Sequence, residues 1–198
     1  MMKKLTAVLL VLFLMLPCAA LAQVQMQRYE LTDVGMTLET PVGWATATLD
    51  TADSCTLGEA FQMSGDAVRA MLISMNASFY AACDDYGITQ MAVMSGEGAV
   101  GVDMRDHDLD MDAFMTGFLA SYSNVKDSGV YQTEEATFVW VHYTEQEETG
   151  SAVDVIQYVT CVNSRAYVIH MMSFYGVELN EYPQELLKMV VDSIVFLD

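Results

Sequence analysis

The order of segments in residues 111–198 constrains the fold of this 198-residue chain more than any other feature. The spacing predicts a helix, three antiparallel strands joined by short turns, a second helix and a short final strand. Met111, Phe114, Met115, Phe118, Leu119 and Tyr122 recur at three- and four-residue steps, which is one face of a helix. Asp110 is placed to cap its first turn, and Asp112 suits the positive end of the helix dipole. Gly117 costs about 1 kcal/mol relative to Ala in a helix interior, so this helix depends on packing. Residues 136–144 are rich in β-branched and aromatic types, with Trp140 expected in the buried middle of the strand. The polar run 145–150 ends in Gly and predicts a hairpin connection. Residues 153–162 and 166–174 read as two more strands, turned at Asn163-Ser164. Pro183 fits the first turn of the closing helix, where no amide donor is needed. Leu186, Leu187, Val190 and Val191 form that helix's apolar face, and Ile194-Val195-Phe196 reads as an edge strand. The expected class is α+β: a central antiparallel β-sheet with helices packed against it.

The N-terminal half fits the same plan. Residues 29–32 and 36–39 predict a hairpin over Asp33-Val34-Gly35, after which Pro41-Val42-Gly43-Trp44 leaves the sheet. Residues 56 to about 75 read as one helix, with Leu57, Phe61, Val68, Met71, Leu72 and Met75 on its buried side. Residues 77–83 and 88–94 predict another hairpin over Asp84-Asp85-Tyr86-Gly87. No internal repeat, low-complexity tract or Pro/Gly linker interrupts the chain.

Lys3 and Lys4 precede the apolar run Leu5 to Leu16, Pro17 breaks it, and Ala20-Leu21-Ala22 follows. This predicts a secretory signal peptide over 1–22 and a single domain over 23–198. The run is too short to span a bilayer, which takes about 20 apolar residues. Lipid attachment at Cys18 is the alternative, but Pro17 directly before that cysteine fits a lipoprotein signal badly. Secretion or residence in the periplasm or cell envelope is therefore expected. The formal net charge is −19. Such a chain repels phosphate backbones and anionic lipid, which argues against nucleic acid as a partner. A basic protein, a divalent cation and plain solubility remain open. Cys55, Cys83 and Cys161 lie beyond the leader; an oxidising compartment allows one disulfide among them, and three pairings are possible.

Met36-Thr37-Leu38-Glu39-Thr40-Pro41-Val42-Gly43-Trp44 resembles the early strand and Pro-x-Gly-Trp signature of the PsbP-like/DcrB-like superfamily. The hairpin around Asn163-Ser164, followed by Tyr182-Pro183, Leu186-Leu187, Val190 and Ser193-Ile194-Val195-Phe196, resembles its ending. The resemblance covers roughly 28 to 198, and residues 50–76 depart from the simplest family plan by adding a helix. It implies an exported protein with helices on a central antiparallel sheet, serving as an accessory or binding protein rather than an enzyme. The family has no shared catalytic motif, so no residue role is carried over.

Candidate chemistry is sparse. Asp103, Asp106, Asp108, Asp110 and Asp112 surround His107, and Asp106-x-Asp108-x-Asp110 imitates the start of a calcium loop. Met111 stands where such a loop needs Gly, and Gly117 where it needs a bidentate Glu, so a solvated acidic loop is the expectation for 103–112. His142 and His170 invite a metal or acid–base pair. Turns centred at Asn163-Ser164 and Glu147-Glu148 set His170 opposite Gln157 and Gln157 opposite Phe138. His142 would then lie roughly 13 Å along its strand, at about 3.3 Å per residue. There is no Gly-x-Ser-x-Gly elbow and no phosphate loop. Met91, Met94, Met171 and Met172 could evoke soft-metal binding, but methionine as a flexible core filler accounts for them. No catalytic, cofactor-binding or metal-ligating residue is assigned. The expected function is a non-catalytic extracytoplasmic binding or accessory protein, with a protein or small-molecule partner. The alternatives are an enzyme whose site assembles from distant strands and a calcium-binding protein using 103–112. A His within reach of a carboxylate or hydroxyl in a pocket would favour an enzyme, and a pocket lined by Met, Phe and Tyr would favour binding.

Overall fold

The structure, a computed structural model, describes residues 24–98, 102–106, 109–146 and 150–197. Strands β1 (Met26–Leu31) and β2 (Met36–Pro41) form the first hairpin, and β3 (Ala45–Thr48) follows Trp44. Helices α1 (Thr56–Phe61) and α2 (Gly65–Ser74) precede the hairpin of β4 (Ala77–Ala82) and β5 (Thr89–Glu97). Helix α3 (Met111–Leu119) leads into β6 (Val125–Gln132), β7 (Thr137–Gln146), β8 (Ala152–Val162) and β9 (Arg165–Ser173). Helix α4 (Glu181–Asp192) and β10 (Val195–Phe196) close the chain. The main sheet runs β3-β4-β5-β9-β8-β7-β6 and a small sheet runs β1-β2-β10, with every pairing antiparallel. This is the expected α+β class.

Strand alternation sorts the core into two faces. Phe79, Met91, Val93, Phe138, Ile156, Tyr158, Ile169 and Met171 point to one face of the main sheet, where they meet Met36 and Leu38 of β2 and Leu187, Val190 and Val191 of α4. On the opposite face, Leu57, Val68 and Leu72 of α1 and α2 pack on Tyr80 and Ala92. Farther along that face, α3 covers Val139 and Cys161 through Met111, Phe114, Met115 and Phe118. Asp110 caps α3 as expected, accepting the Ala113 N–H at 3.0 Å, and Asn180 does the same for α4 through Tyr182. Asn163 and Ser164 both take positive φ, the tight two-residue turn that suits a twisted hairpin.

Several expectations need correction. The helix expected over 56–75 is two helices. Gln62 takes φ +53, in the left-handed region, and Ser64 caps α2 by accepting the Ala67 N–H. Gly65, the first residue of α2, sits so close to Asp53 that an added Cβ would lie 2.8 Å from its Cα, so only glycine fits there. Phe61, placed on the buried side by periodicity, is exposed at the end of α1. Strands β3 and β6 went unanticipated. β6 carries Lys126, Asp127, Ser128 and Gly129 through its middle and lies at the sheet edge, so no apolar alternation marks it. Trp140 is half-buried rather than buried, stacked on Tyr158 with 6.2 Å between ring centroids. The β7–β8 register is shifted by three residues: Val141, not Phe138, stands opposite Gln157. The polar Glu145 and Gln146 still belong to β7, which moves the turn later than their polarity suggests.

Candidate functional site

Three separate segments converge at one end of the main sheet to form a cavity of about 350 Å³. Its floor is Leu57 of α1 with Tyr80 and Ala82 of β4, and its sides are Met63, Met71 and Gln90. Its mouth is aromatic. Phe61 stands there because α1 ends just after it, at the left-handed Gln62. Tyr86 is supplied by the β4–β5 turn. The Asp84 carboxylate shapes that turn by accepting the N–H groups of Tyr86, Ile88 and Thr89 at 2.9, 3.1 and 2.6 Å. Burial alone would push the Asp84 carboxyl up, but those N–H bonds outweigh it and hold it below its usual range. Gly87 follows at φ +65 and lets the Phe61 ring close over it; an added Cβ would meet that ring at 3.2 Å. Tyr175, in the segment after β9, completes the mouth.

Exposure separates this mouth from ordinary surface. Phe61 is 39% exposed, Tyr86 85% and Tyr175 79%. Tyr175 also takes φ +59, an uncommon conformation for a bulky residue. Its neighbours hold it there: the Phe174 N–H donates to the Ile88 carbonyl, Gly176 to Ala152 and Val177 to Phe174. No charged side chain lines the cavity. Burial pushes the Tyr80 hydroxyl up to about 12, so it stays neutral. Gln90 donates through Nε2 to the Gly87 carbonyl at 2.7 Å, and its Oε1 accepts nothing among the described residues. The lining can therefore offer apolar contact, aromatic faces and a few neutral polar atoms.

A second cluster anchors the Tyr175 segment from behind. Asp154 of β8 has a side chain only 4% exposed. It accepts from Lys126 Nζ at 2.9 Å, from His142 Nε2 at 3.0 and 3.1 Å, and from the Leu179 N–H at 2.8 Å. Burial alone would raise its pKa; the bonds from Lys126, His142 and Leu179 prevail and hold it below the usual carboxylate range. Three donors share this carboxylate, His142 splitting its single Nε2 contact between the two oxygens. Asp154 is thus a clasp that holds the segment after Tyr175 at Leu179. Ser173 stands opposite Asp154 on β9, yet its buried Oγ makes no hydrogen bond among the described residues, so no Ser–His relay is formed. Neither His142 nor Asp154 lines the aromatic cavity.

The other sequence candidates are scattered. His142 is opposite Ile156, and His170 opposite Gln157, so alternation sends the two imidazoles to opposite faces of the sheet. The separation inferred along the strand was wrong because the register was wrong; opposite faces keep the two apart. Burial depresses the pKa of His170 from 6.5 to about 4, and its Nε2 has no hydrogen-bond partner among the described residues. In the acidic segment, His107 and Asp108 lie outside the described residues. Asp103 is gripped by Arg105, whose guanidinium also donates to Asn163, and this holds its carboxyl down at about 2. Met104 beside it is buried, its N–H on the Cys161 carbonyl and its own carbonyl accepting from Thr137. Residues 102–106 are thus tied to the sheet through Met104, while Arg105, Asp106, Asp110 and Asp112 are exposed. Cys55, Cys83 and Cys161 form no disulfide with one another and belong to three different parts of the core. The sequence did not reveal the cavity, since its lining comes from three segments that only the fold brings together. The one available signal was the aromatic residue in the Asp84-Asp85-Tyr86-Gly87 turn.

No helix among the described residues is long and apolar enough to cross a membrane. No protein-family profile matches the chain, and no curated protein does. Among solved structures, the chain is similar to cyanobacterial PsbP (CyanoP) from Synechocystis, at 11% identity over 87% of this chain and 93% of that one, with a TM-score of 0.49. It is also similar to a protein from Bacteroides thetaiotaomicron, at 10% identity over 88% of this chain and 49% of that one, with a TM-score of 0.48. The chain spans about half the length of that second protein.

Proposed function

We propose that this chain is a non-catalytic extracytoplasmic binding protein, exported by its leader at 1–22, whose ligand enters the cavity between Phe61, Tyr86 and Tyr175. The observation that carries the reading is the cavity's lining: aromatic, aliphatic and thioether, with the neutral amide of Gln90 and no ionised group. Its volume falls at the lower end of the roughly 300–1,000 Å³ typical of ligand pockets. The resemblance of the sequence to exported accessory proteins supports the compartment, as does the Ala20-Leu21-Ala22 cleavage pattern. An enzyme is the second reading, favoured by the 3.0 Å contact of His142 and Asp154. Against it stand the absence of that pair from the cavity's lining and the Ser173 hydroxyl, which makes no hydrogen bond to His142 among the described residues.

The test is a titration with a neutral fluorescent probe, N-phenyl-1-naphthylamine. One probe per chain should bind, with fluorescence enhancement, and Met71→Trp should block it by filling the cavity while leaving the fold intact. Binding that persists in Met71→Trp, or no binding to the wild type, would reject the cavity as the site.

A further inference from the structure

At the end of the main sheet away from the aromatic mouth lies a smaller cavity of about 220 Å³, lined in part by Arg165. Among the described basic residues, Arg69, Arg105, Lys126 and Lys188 are ion-paired with carboxylates. Arg165 is not. It opens β9 opposite Glu97 of β5, yet no ion pair joins the two. Its guanidinium is held instead by the Asp33 backbone carbonyl, to which Nη1 donates at 3.2 Å, and by the Tyr167 hydroxyl. Two such contacts fix the group in place and leave most of its N–H donors unspent.

Two serines line the same space without partners for their hydroxyls. Ser78 is only 5% exposed and makes no side-chain hydrogen bond among the described residues. Its place is set by a β-bulge: Ala77 pairs with Met94 and Phe79 with Val93, so Ser78 is the extra residue of β4. A bulge re-aims a side chain, and a buried hydroxyl left without a partner is costly unless a guest supplies one. Ser95 of β5 also lines the cavity, and its hydroxyl is likewise unbonded among the described residues. Asn76, at φ +52, donates through Nδ2 to the Ser95 carbonyl at 3.1 Å, which fastens the turn before Ser78 beside Ser95. Leu49 and Ile73 give the cavity an aliphatic side.

We infer that this cavity binds the carboxylate of a small aliphatic monoacid, with Arg165 and Ser78 donating to its oxygens and the tail lying against Leu49 and Ile73. The planar guanidinium fork matches the two oxygens of a carboxylate, and bonds between charged partners are about twice as strong as neutral ones. A neutral guest would draw nothing from the Arg165 charge, and a cation would be repelled by it. Asp33 also borders the cavity, and the net charge of −19 opposes every anion. That opposition doubles for a dianion such as phosphate, so a single negative charge is what one guanidinium can hold here. No residue lines both this cavity and the aromatic one, so the two sites stand or fall separately.

The experiment is an amide NMR titration of the mature chain with butyrate and with butyramide, its uncharged counterpart of the same shape. Butyrate should bind about tenfold more tightly, the scale of a charge-assisted contact, and should move the signals of Ser78, Ser95 and Arg165. Acetate should bind about fivefold more weakly than butyrate, since it lacks two methylenes that the aliphatic side partly covers. Arg165→Gln should bring butyrate down to the level of butyramide, and Ser78→Ala should weaken it about fivefold, with thermal melts reporting that the fold is kept. If Arg165→Gln does not fold, the comparison of butyrate with butyramide on the wild type still decides. Equal affinity for those two, shifts confined to residues outside this cavity, or butyrate binding unchanged in both variants would overturn the site. Acetate binding as tightly as butyrate would overturn the aliphatic tail, and inorganic phosphate binding more tightly than butyrate would overturn the single charge.

Discussion

Replacing Asp154 tests whether the cluster behind the cavity is the anchor that its geometry indicates. In Asp154→Ala the Leu179 N–H, now donating at 2.8 Å into a buried carboxylate, loses its acceptor. An orphaned buried donor costs about 1–3 kcal/mol. Lys126 and His142 lose charge-assisted bonds; Lys126 can turn to Glu178 and water because its side chain is 34% exposed, whereas His142 has less room. Breaking a buried ion pair on one side typically costs about 3–5 kcal/mol, and the partial escape of Lys126 places this variant near 3. Glu178→Ala removes an exposed partner of the same lysine and should cost under about 1 kcal/mol. Urea unfolding of both variants gives the comparison, and amide exchange at Leu179 reports local release of the segment. The sign with pH follows from the lowered folded-state pKa. The carboxylate's contribution is complete above its unfolded value, near 3.9, and is lost as pH falls through the lower folded value. A loss under about 1 kcal/mol in Asp154→Ala, or equal losses in both variants, would refute the clasp.

Three further outcomes follow from the structure. His170 is neutral in the fold, so stability should decline as pH falls from about 6.5 towards 4, by up to about 3 kcal/mol, and the decline should vanish in His170→Leu followed by denaturant titration. Gly129→Ala would bring a Cβ within 2.9 Å of Trp140 Nε1, so it should cost about 1–3 kcal/mol and alter tryptophan fluorescence; no change would place Trp140 elsewhere. Millimolar calcium should stabilise the chain no more than magnesium at equal ionic strength, because Asp103 is taken by Arg105 and Asp110 by the Ala113 N–H; calcium-selective stabilisation in a thermal melt would reverse this.

What could be read in the sequence was what local chemistry encodes. The Asn163-Ser164 turn set the β8–β9 register correctly, and Asp110 marked a helix start. The apolar stripe of Leu186, Leu187, Val190 and Val191 placed α4 on the sheet. What escaped depends on long-range context. β6 is an edge strand whose polar residues carry no pattern, and through Lys126 it supplies one partner of Asp154. The break between α1 and α2 falls at the left-handed Gln62, which no periodicity signals, and it is this break that delivers Phe61 to the cavity mouth. Tyr175 follows β9 without any residue type that predicts a left-handed backbone. The aromatic mouth was therefore invisible until the three segments were brought together.

Methionine-methyl NMR would test the central claim most directly. Met63 and Met71 line the cavity, whereas Met36, Met91 and Met171 sit in the core on the far face of the sheet. Adding N-phenyl-1-naphthylamine to the mature chain should move the methyl signals of Met63 and Met71 strongly, through ring-current shifts, and leave the other three in place. Shifts confined to Met36, Met91 or Met171, or none at saturating probe, would contradict a ligand site between Phe61, Tyr86 and Tyr175.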